Sequence, residues 1–231
     1  MKNYLIIGGS SGIGKELVTL LENEGAHVIA TFNQNKVKNR PHVKYIKLDV
    51  TVEPLNLEEL PEEIHGLAYC PGSINLKPFK RFTDEDFMQD FQLQVLGATN
   101  IIKQILPRLK KSEKASILLF STIAVQSGFS FHSQIAISKG AIEGLTRSLA
   151  AEFAPLIRVN AIAPSITNTA LASRFLNTPE KLNLQAQRNP LKRIGKANDV
   201  AEAALFLITP KSSWITGQIF HVDGGDSKIK Q

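Results

Sequence analysis

Strand-like and helix-like segments alternate along the chain. Most apolar runs with strand character are followed by a stretch in which apolar residues recur at helical spacing. The pattern predicts strands over residues 4–7, 28–32, 43–48, 67–70, 116–120, 158–162 and 218–222, and helices over 13–24, 53–60, 85–109, 133–153 and 199–208. Such alternation is typical of a parallel sheet with helices on both faces, and right-handed crossovers make it doubly wound. We therefore predict a single α/β domain over residues 1–231.

Composition narrows the class of protein. Hydrophobic residues make up 43% and charged residues 21% of the chain, as in soluble globular proteins and unlike disordered ones. The single cysteine, Cys70, excludes an internal disulfide and a cysteine-based zinc site. His27, His42, His65 and His221 show no ligand spacing, so we predict no metal site. The apolar runs are too short for a membrane span or a signal peptide, and we predict a cytoplasmic protein without a membrane partner.

The net charge of +6 does not indicate a nucleic-acid partner. A nucleic-acid binder concentrates basic residues on one stripe with interleaved aromatic residues. Here the basic clusters are scattered over residues 36–40, 108–114 and 228–230. Most of this charge is expected on solvated surface, and a phosphate-bearing small molecule accounts for some of it.

A glycine-rich turn joins the first predicted strand to the first predicted helix. Its sequence is Gly8-Gly9-Ser10-Ser11-Gly12-Ile13-Gly14. Glycine permits a positive φ and lets backbone amides approach an anionic group at the helix N-terminus. At this place in a βαβ unit the turn predicts a Rossmann-type dinucleotide site. The predicted contacts are Gly8, Ser10, Ser11, Gly12, Ile13 and Gly14.

The end of the second strand bears on the choice of dinucleotide. In the common fold an acidic residue about 20 positions after the turn accepts the ribose hydroxyls of NAD. The matching segment, residues 30–33, has no carboxylate, and Thr31, Asn33 and Lys36 offer groups for a 2′-phosphate. We therefore favour NADP(H) over NAD(H). The alternative, in which Phe32 packs over adenine and either cofactor binds, stays open.

Several further motifs, in order along the chain, resemble those of the short-chain dehydrogenase/reductase family. They are the spaced glycines Gly8, Gly12 and Gly14, the segment Leu48-Asp49-Val50, Arg-Val-Asn-Ala-Ile-Ala-Pro at 158–164, Trp-Ile-Thr-Gly-Gln at 214–218 and Val-Asp-Gly-Gly at 222–225. The resemblance covers nearly the whole chain. It implies a nicotinamide-dependent oxidoreductase acting on a small carbonyl or alcohol substrate. It also extends the cofactor contacts to Asp49, Val50, Pro71, Gly72, Pro164 and Ile166.

The family's catalytic residues match only in part. Its lysine, which holds the nicotinamide ribose, is Lys139, but the tyrosine four residues earlier is Ile135 here. Its serine falls on Thr122, next to Ser121, and its helical asparagine falls on Gln94. Threonine keeps a hydroxyl and glutamine an amide, whereas isoleucine has no proton to give or take. Positioned proton transfer is worth about 10²–10⁴ in rate, so the tyrosine chemistry does not carry over.

Other residues are candidates for the missing acid. His132 precedes Ile135 by three residues and titrates near neutrality, although a histidine at a helix start is often bonded to backbone instead. Lys139 is a second candidate, acting through a water. Tyr69 and Cys70 replace the two asparagines of the family's Asn-Asn-Ala-Gly segment, and packing is the simpler role for both.

Two functions follow. The first is an NAD(P)(H)-dependent oxidoreductase with a non-standard proton relay, in which Thr122 contacts the substrate oxygen and residues 171–188 cover the substrate. The alternative is a catalytically inactive NAD(P)-binding sensor or scaffold, which Ile135 favours directly. A non-redox lyase or isomerase would need a base that the sequence does not identify.

The predicted helices over 85–109 and 133–153 also suggest self-association. The first is apolar on more than one face, and Ala136, Gly140 and Gly144 form a small-residue stripe on the second. The family resemblance places both helices at a dimer contact. We predict a homo-oligomer, dimer or tetramer, through these helices.

Overall fold

A computed structural model describes residues 1–229, so Lys230 of the last basic cluster lies outside it. Seven parallel strands form one sheet in the order β3-β2-β1-β4-β5-β6-β9. They are β1 (Asn3–Ile7), β2 (His27–Phe32), β3 (Val43–Lys47), β4 (Gly66–Tyr69), β5 (Ala115–Phe120), β6 (Ile157–Pro164) and β9 (Ile219–Val222). A separate pair, β7 (Thr167–Asn168) and β8 (Gly195–Lys196), lies outside it. The predicted doubly wound parallel sheet is confirmed.

Helices cover both faces of this sheet. They are α1 (Gly12–Asn23), α2 (Asp84–Phe91), α3 (Gly97–Leu109), α4 (Ser133–Phe153), α5 (Pro179–Arg188) and α6 (Ala197–Ile208). Alternate side chains of β1 point to opposite faces: Tyr4 and Ile6 pack in the core under α1 and α6, while Leu5 and Ile7 pack in the core under α3 and α4. Of the helices between residues 1 and 229, none combines the length and apolarity needed to cross a bilayer.

Two segments differ from the sequence-based expectation. The helix predicted over 53–60 is wrong: only Leu57–Glu59 forms a single 3₁₀ turn. The side chain of Asn56 accepts the backbone N–H of Glu58 and starts the turn there, and Pro61 follows its end, so there is no room for a longer helix. Conversely, residues 171–188, predicted only as a covering segment, contain most of the 3₁₀ helix Ala170–Phe175 and all of α5, which is capped by Thr178.

The helix predicted over 85–109 is continuous but not uniform. Between α2 and α3 lies a π-turn, Gln92–Leu96, where the backbone N–H of Gly97 donates to the carbonyl of Gln92 five residues earlier. Tyr69 lies at the end of β4, and its hydroxyl donates a hydrogen bond at 2.5 Å to the carbonyl oxygen of Leu93 in this turn. Tyr69 is 3% exposed, and burial raises its pKa above the usual value. Tyr69 therefore acts as a packing residue that ties the sheet to the irregular turn.

Gly97 makes room for that phenol. A methyl group on Gly97 would overlap the Tyr69 hydroxyl and lie 3.4 Å from Cζ of the same ring. We expect Gly97→Ala to lower the free energy of unfolding by about 1–3 kcal/mol, because the core must shift to relieve the overlap. The free energy of unfolding is measured by urea unfolding of three variants: Gly97→Ala, Tyr69→Phe and the double variant that carries both changes.

Because Tyr69→Phe removes the overlapping oxygen, the double variant should lose less stability than the two single variants summed. Gly144→Ala is the matched control, since a methyl there meets no atom within 4 Å. Strict additivity of the two changes would contradict the proposed contact.

Candidate functional site

One cleft of about 950 Å³ opens at the carboxyl ends of the strands, where ligands bind in doubly wound sheets. All four predicted catalytic residues, Lys139, Thr122, His132 and Gln94, line it. So do the following predicted cofactor residues: Gly8, Ser10, Ser11, Gly12, Ile13, Gly14, Thr31, Asn33, Val50, Pro71, Gly72, Pro164 and Ile166. Asp49, the remaining cofactor residue of that prediction, is not part of the lining, and neither are Lys36 and Tyr69.

The glycine turn forms one end of the cleft. Gly8 has a φ of +75°, and its N–H donates to the hydroxyl of Thr31 on β2 at 2.9 Å. A methyl group on Gly14 would overlap the carbonyl oxygen of Gly8, so α1 lies as close to β1 as backbone permits. The side chain of Ser11, the N-cap of α1, makes no capping bond. The first N–H groups of α1 therefore remain available to an anionic ligand.

Amide side chains line the cleft beyond the end of β2. They belong to Asn33, Gln34 and Asn35, of which the sequence analysis had named only the first. The Asn33 side chain donates to a carboxylate oxygen of Asp49 at 3.2 Å. The other oxygen of Asp49 accepts from the hydroxyl and N–H of Thr51 at 2.6 and 2.9 Å, and these bonds hold the Asp49 pKa below its usual value. Asp49 thus fixes the rim of the cleft without forming its wall.

The Thr31 side chain holds the glycine turn and contributes little to the rim of the cleft. It is only 2% exposed, and its oxygen is the acceptor for Gly8. Lys36, the basic residue suggested for a 2′-phosphate, is exposed and is not among the lining residues.

Lys139 and Ile135 lie on the first turns of α4 and face the middle of the cleft. Both are buried, with exposed fractions of 8% and 5%. Burial lowers the pKa of Lys139 to about 8, and the negative charge of Asp90 opposes that shift. Thr122 lines the same region and begins a 3₁₀ turn, where its hydroxyl accepts the N–H of Ala124 at 3.3 Å.

His132 is the N-cap residue of α4 and is half-buried. Its Nδ1–H donates to the carbonyl of Ser130 at 2.8 Å, and its ring packs against Phe129 with centroids 5.4 Å apart. The neighbouring Phe131 has a φ of +69°, which is unusual for a bulky residue. The backbone bond fixes the imidazole at the mouth of the cleft and leaves Nε2 as its second polar atom.

The remaining wall is largely apolar. It includes Ile74, Leu76, Leu93, Phe129, Leu171 and Phe175, the last two from the predicted covering segment. Polar residues of this part of the lining include Gln185, Arg188, Asn189 and Asp226, and Asp226 accepts a hydrogen bond from Ser165. Sequence reasoning missed Asp226, because no local pattern links it to Ser165, 61 residues away.

Sequence reasoning also missed Asp90. It is 4% exposed and accepts hydrogen bonds from three side chains next to the cleft. A signal was present, since Asp90 and Gln94 are polar residues four apart within a mostly apolar helical segment.

Within residues 1–229, no group of three or more His, Cys, Asp or Glu side chains is placed to hold a metal ion. Cys70 lines the cleft beside the glycine turn, and burial raises the pKa of its thiol to about 12.

Comparisons with known proteins find relatives that match nearly the whole chain. A family model described as enoyl-(acyl carrier protein) reductase matches residues 8–227. The chain is 32% identical to 3-oxoacyl-(acyl-carrier-protein) reductase FabG of Thermotoga maritima, covering 97% of both chains. Its structure is similar to a short chain dehydrogenase family protein from Francisella tularensis, with a TM-score of 0.88, 27% identity and coverage of 99% and 100%. It is also similar to ElxO with NADP bound, with a TM-score of 0.86, 27% identity and coverage of 97% and 98%.

The Cys70 thiol should be poorly reactive. Raising a thiol pKa from 9.0 to about 12 reduces the thiolate fraction near neutrality on the order of 10³-fold, and the thiolate is the nucleophile. We expect alkylation by iodoacetamide at mildly alkaline pH to be slower in the native protein than in concentrated urea by that order. Mass spectrometry of timed samples measures both rates. Cys70→Ala should take up no label, and equal rates in the two states would contradict the assignment.

Proposed function

Because the chain belongs to the short-chain dehydrogenase/reductase family, we propose that it is an NAD(P)(H)-dependent oxidoreductase acting on a carbonyl or alcohol substrate. The observation that carries the proposal is the continuity of the cleft. It runs from the glycine turn at Gly8–Gly14 to Lys139 and Thr122, with an apolar compartment beyond them. A dinucleotide and a small substrate fit such a cleft end to end.

The residues present fit a nicotinamide dinucleotide. The turn is a backbone cradle that a side chain on Gly14 would fill, and the open N-terminus of α1 suits the pyrophosphate. When bound, the nicotinamide supplies or accepts a hydride. Lys139 would hold the adjoining ribose, and Asp49 and Val50 would lie near adenine.

We propose NADP(H) as the preferred cofactor. Three neutral amides, Asn33, Gln34 and Asn35, line the cleft after β2, where an NAD-specific site would place a carboxylate. The nearby Asp49 carboxylate is engaged by Thr51 and Asn33. A relative of similar structure holds NADP.

The proton relay is the non-standard part of the proposal. Thr122 would contact the substrate oxygen, and Ile135 shapes the wall but transfers no proton. The candidate donors are the Lys139 ammonium, acting through a water, and His132. Lys139 is the better placed of the two, because it is buried inside the cleft whereas His132 is only half-buried at its mouth.

A second candidate function is cofactor binding without turnover, as in a sensor or scaffold. It is favoured by Ile135, an apolar side chain buried in the wall near Lys139. Both functions require the same cofactor site, and they differ in whether substrate is converted.

We also propose a homo-oligomer that associates through α2–α3 and α4. Apolar side chains on these helices are exposed in the single chain, among them Phe91 at 36%, Leu96 at 41% and Ile137 at 54%. Association of the two helices with a second copy would bury them. A single domain over residues 1–231 and a cytoplasmic location stay predictions of the sequence.

Asn33→Asp tests the cofactor preference. We expect the wild-type protein to bind NADPH more tightly than NADH. The new carboxylate should weaken NADPH binding at least about tenfold by repelling the 2′-phosphate, and should leave NADH binding equal or tighter. Fluorescence titration measures the four affinities. Asn177→Asp, an exposed change outside the cleft, is the control, and an equal loss for both cofactors in Asn33→Asp would argue against the assignment.

Ile135→Tyr tests whether the missing acid limits turnover. If the rest of the site is competent, restoring a phenol should raise NADPH-dependent reduction of a panel of carbonyl compounds by about 10²–10⁴. Ile135→Phe is the matched control, because it adds the ring without the hydroxyl. If Ile135→Tyr binds NADPH but shows no gain over Ile135→Phe, the missing phenol does not limit turnover. If the wild-type protein also reduces none of the compounds, the oxidoreductase proposal fails and the binding function is favoured.

A further inference from the structure

A buried carboxylate lies behind the cleft. Asp90, in the last turn of α2, is 4% exposed and accepts three hydrogen bonds. One oxygen accepts from Gln94 Nε2 at 2.7 Å and from the hydroxyl of Ser73, and the other accepts from Ser138 Oγ at 2.6 Å. The donors come from the loop after β4, the π-turn and α4. Asp90 therefore joins three segments that meet at the centre of the cleft.

These bonds set the orientation of the Gln94 amide. An ionised carboxylate only accepts hydrogen bonds, so the amide nitrogen of Gln94 faces Asp90 and the oxygen, Oε1, faces away. Gln94 is 1% exposed, and Oε1 has no hydrogen-bond partner within residues 1–229. Oε1 lies 3.3 Å from the point where a Gly72 Cβ would be, and Lys139 Nζ lies 3.8 Å from the same point. An unpaired acceptor and a lysine side chain thus flank Gly72 inside the cleft.

The charges around Lys139 single out Asp90. Helix α4, which carries Lys139, also carries the buried Glu143. The Glu143 carboxylate accepts a hydrogen bond from Ser121 at 2.9 Å and lies 3.7 Å from the Arg147 guanidinium. On α2, Asp86 is paired with Lys77 at 2.6 Å.

The loop after β4 contributes Cys70, whose thiol pKa is raised by burial to about 12, so the group is neutral near pH 7. Asp90 is bonded only by neutral side chains, so its charge is not cancelled by a paired cation. It is therefore free to act on Lys139.

We propose that Asp90 is a positioning residue of this site: it turns Gln94 Oε1 into the cleft and supplies the negative charge that keeps the Lys139 side chain an ammonium. The pair then presents one acceptor and one charged donor beside Gly72 for polar groups of a bound ligand. The proposal rests on the proposed function only in taking that ligand to be a nicotinamide dinucleotide. The effect of the Asp90 carboxylate on Lys139 involves only side chains of the protein, so it is testable without cofactor.

The experiment measures the protonation of Lys139 directly. The protein without added cofactor is labelled with trace acetic anhydride across a pH series, and mass spectrometry follows the peptide that contains Lys139. Wild-type labelling should be half-maximal near pH 8, the pKa of about 8 set chiefly by burial. In Asp90→Asn the midpoint should fall on the order of one pH unit, because a neighbouring negative charge that favours the ammonium is lost. Asp84→Asn, the same change at an exposed residue of α2, should leave the midpoint unchanged.

An unchanged midpoint in folded Asp90→Asn would overturn the proposal. If that variant does not fold, the wild-type profile still decides, because the pKa of a buried lysine without an anionic neighbour can fall as low as about 5–6. A wild-type midpoint at or below about 6 would therefore overturn it as well.

NADPH titration in parallel separates the two proposals. A shifted midpoint in a protein that binds no NADPH would leave the Asp90 arrangement standing and remove the proposed function. Tight NADPH binding with an unshifted midpoint would leave the proposed function standing and overturn the proposed role of Asp90.

Discussion

The close contact between Gly14 and the carbonyl oxygen of Gly8 is the constraint on which the rest of the structure depends. It lets α1 start after the short turn 8–11 that follows β1, so that the helix N-terminus faces the cleft. Gly9 extends the same contact, since a methyl group there would lie 2.8 Å from Ala30 Cβ and 2.9 Å from Val18 Cγ2. The Gly8–Thr31 hydrogen bond then fixes the turn against β2. Backbone thus packs where side chains normally would, and the space left above the sheet becomes the binding site.

The regular parts of the fold follow from short-range patterns. Helix α4 occupies the predicted residues Ser133–Phe153, and all seven main strands start within one residue of their predicted positions. Periodicity succeeds there because each element buries one continuous face or lies fully in the core. It fails over 53–60, where a side-chain cap and a proline limit the helix to a single turn. It also missed α5, whose exposed leucines, such as Leu184, do not form a core face.

The residues of the candidate site also fall into those that the sequence predicted and those that it did not. Residues on motifs at the strand ends were predictable, because topology alone brings the carboxyl ends of parallel strands to one edge. Asp90 and Asp226 were not, because their roles depend on partners from distant segments: Ser73 and Ser138 for the first, Ser165 for the second. A buried carboxylate is costly unless donors surround it, and those donors become visible only when the elements are packed. The sequence shows that the tyrosine position is apolar, whereas only the structure shows the polar groups that surround Lys139.

The π-turn changes the rotational phase of α3 relative to α2. One additional residue in a helical turn rotates everything after it by about 100° relative to a regular helix, at 3.6 residues per turn. The two halves of the helix are therefore out of phase, and a heptad-like count that begins in α2 assigns α3 residues to the wrong face. Removing a single residue from Gln92–Leu96 would restore the phase and turn the α2 face, with Asp90, away from α4. Chain length in that turn, as much as side-chain identity, determines which groups reach the cleft.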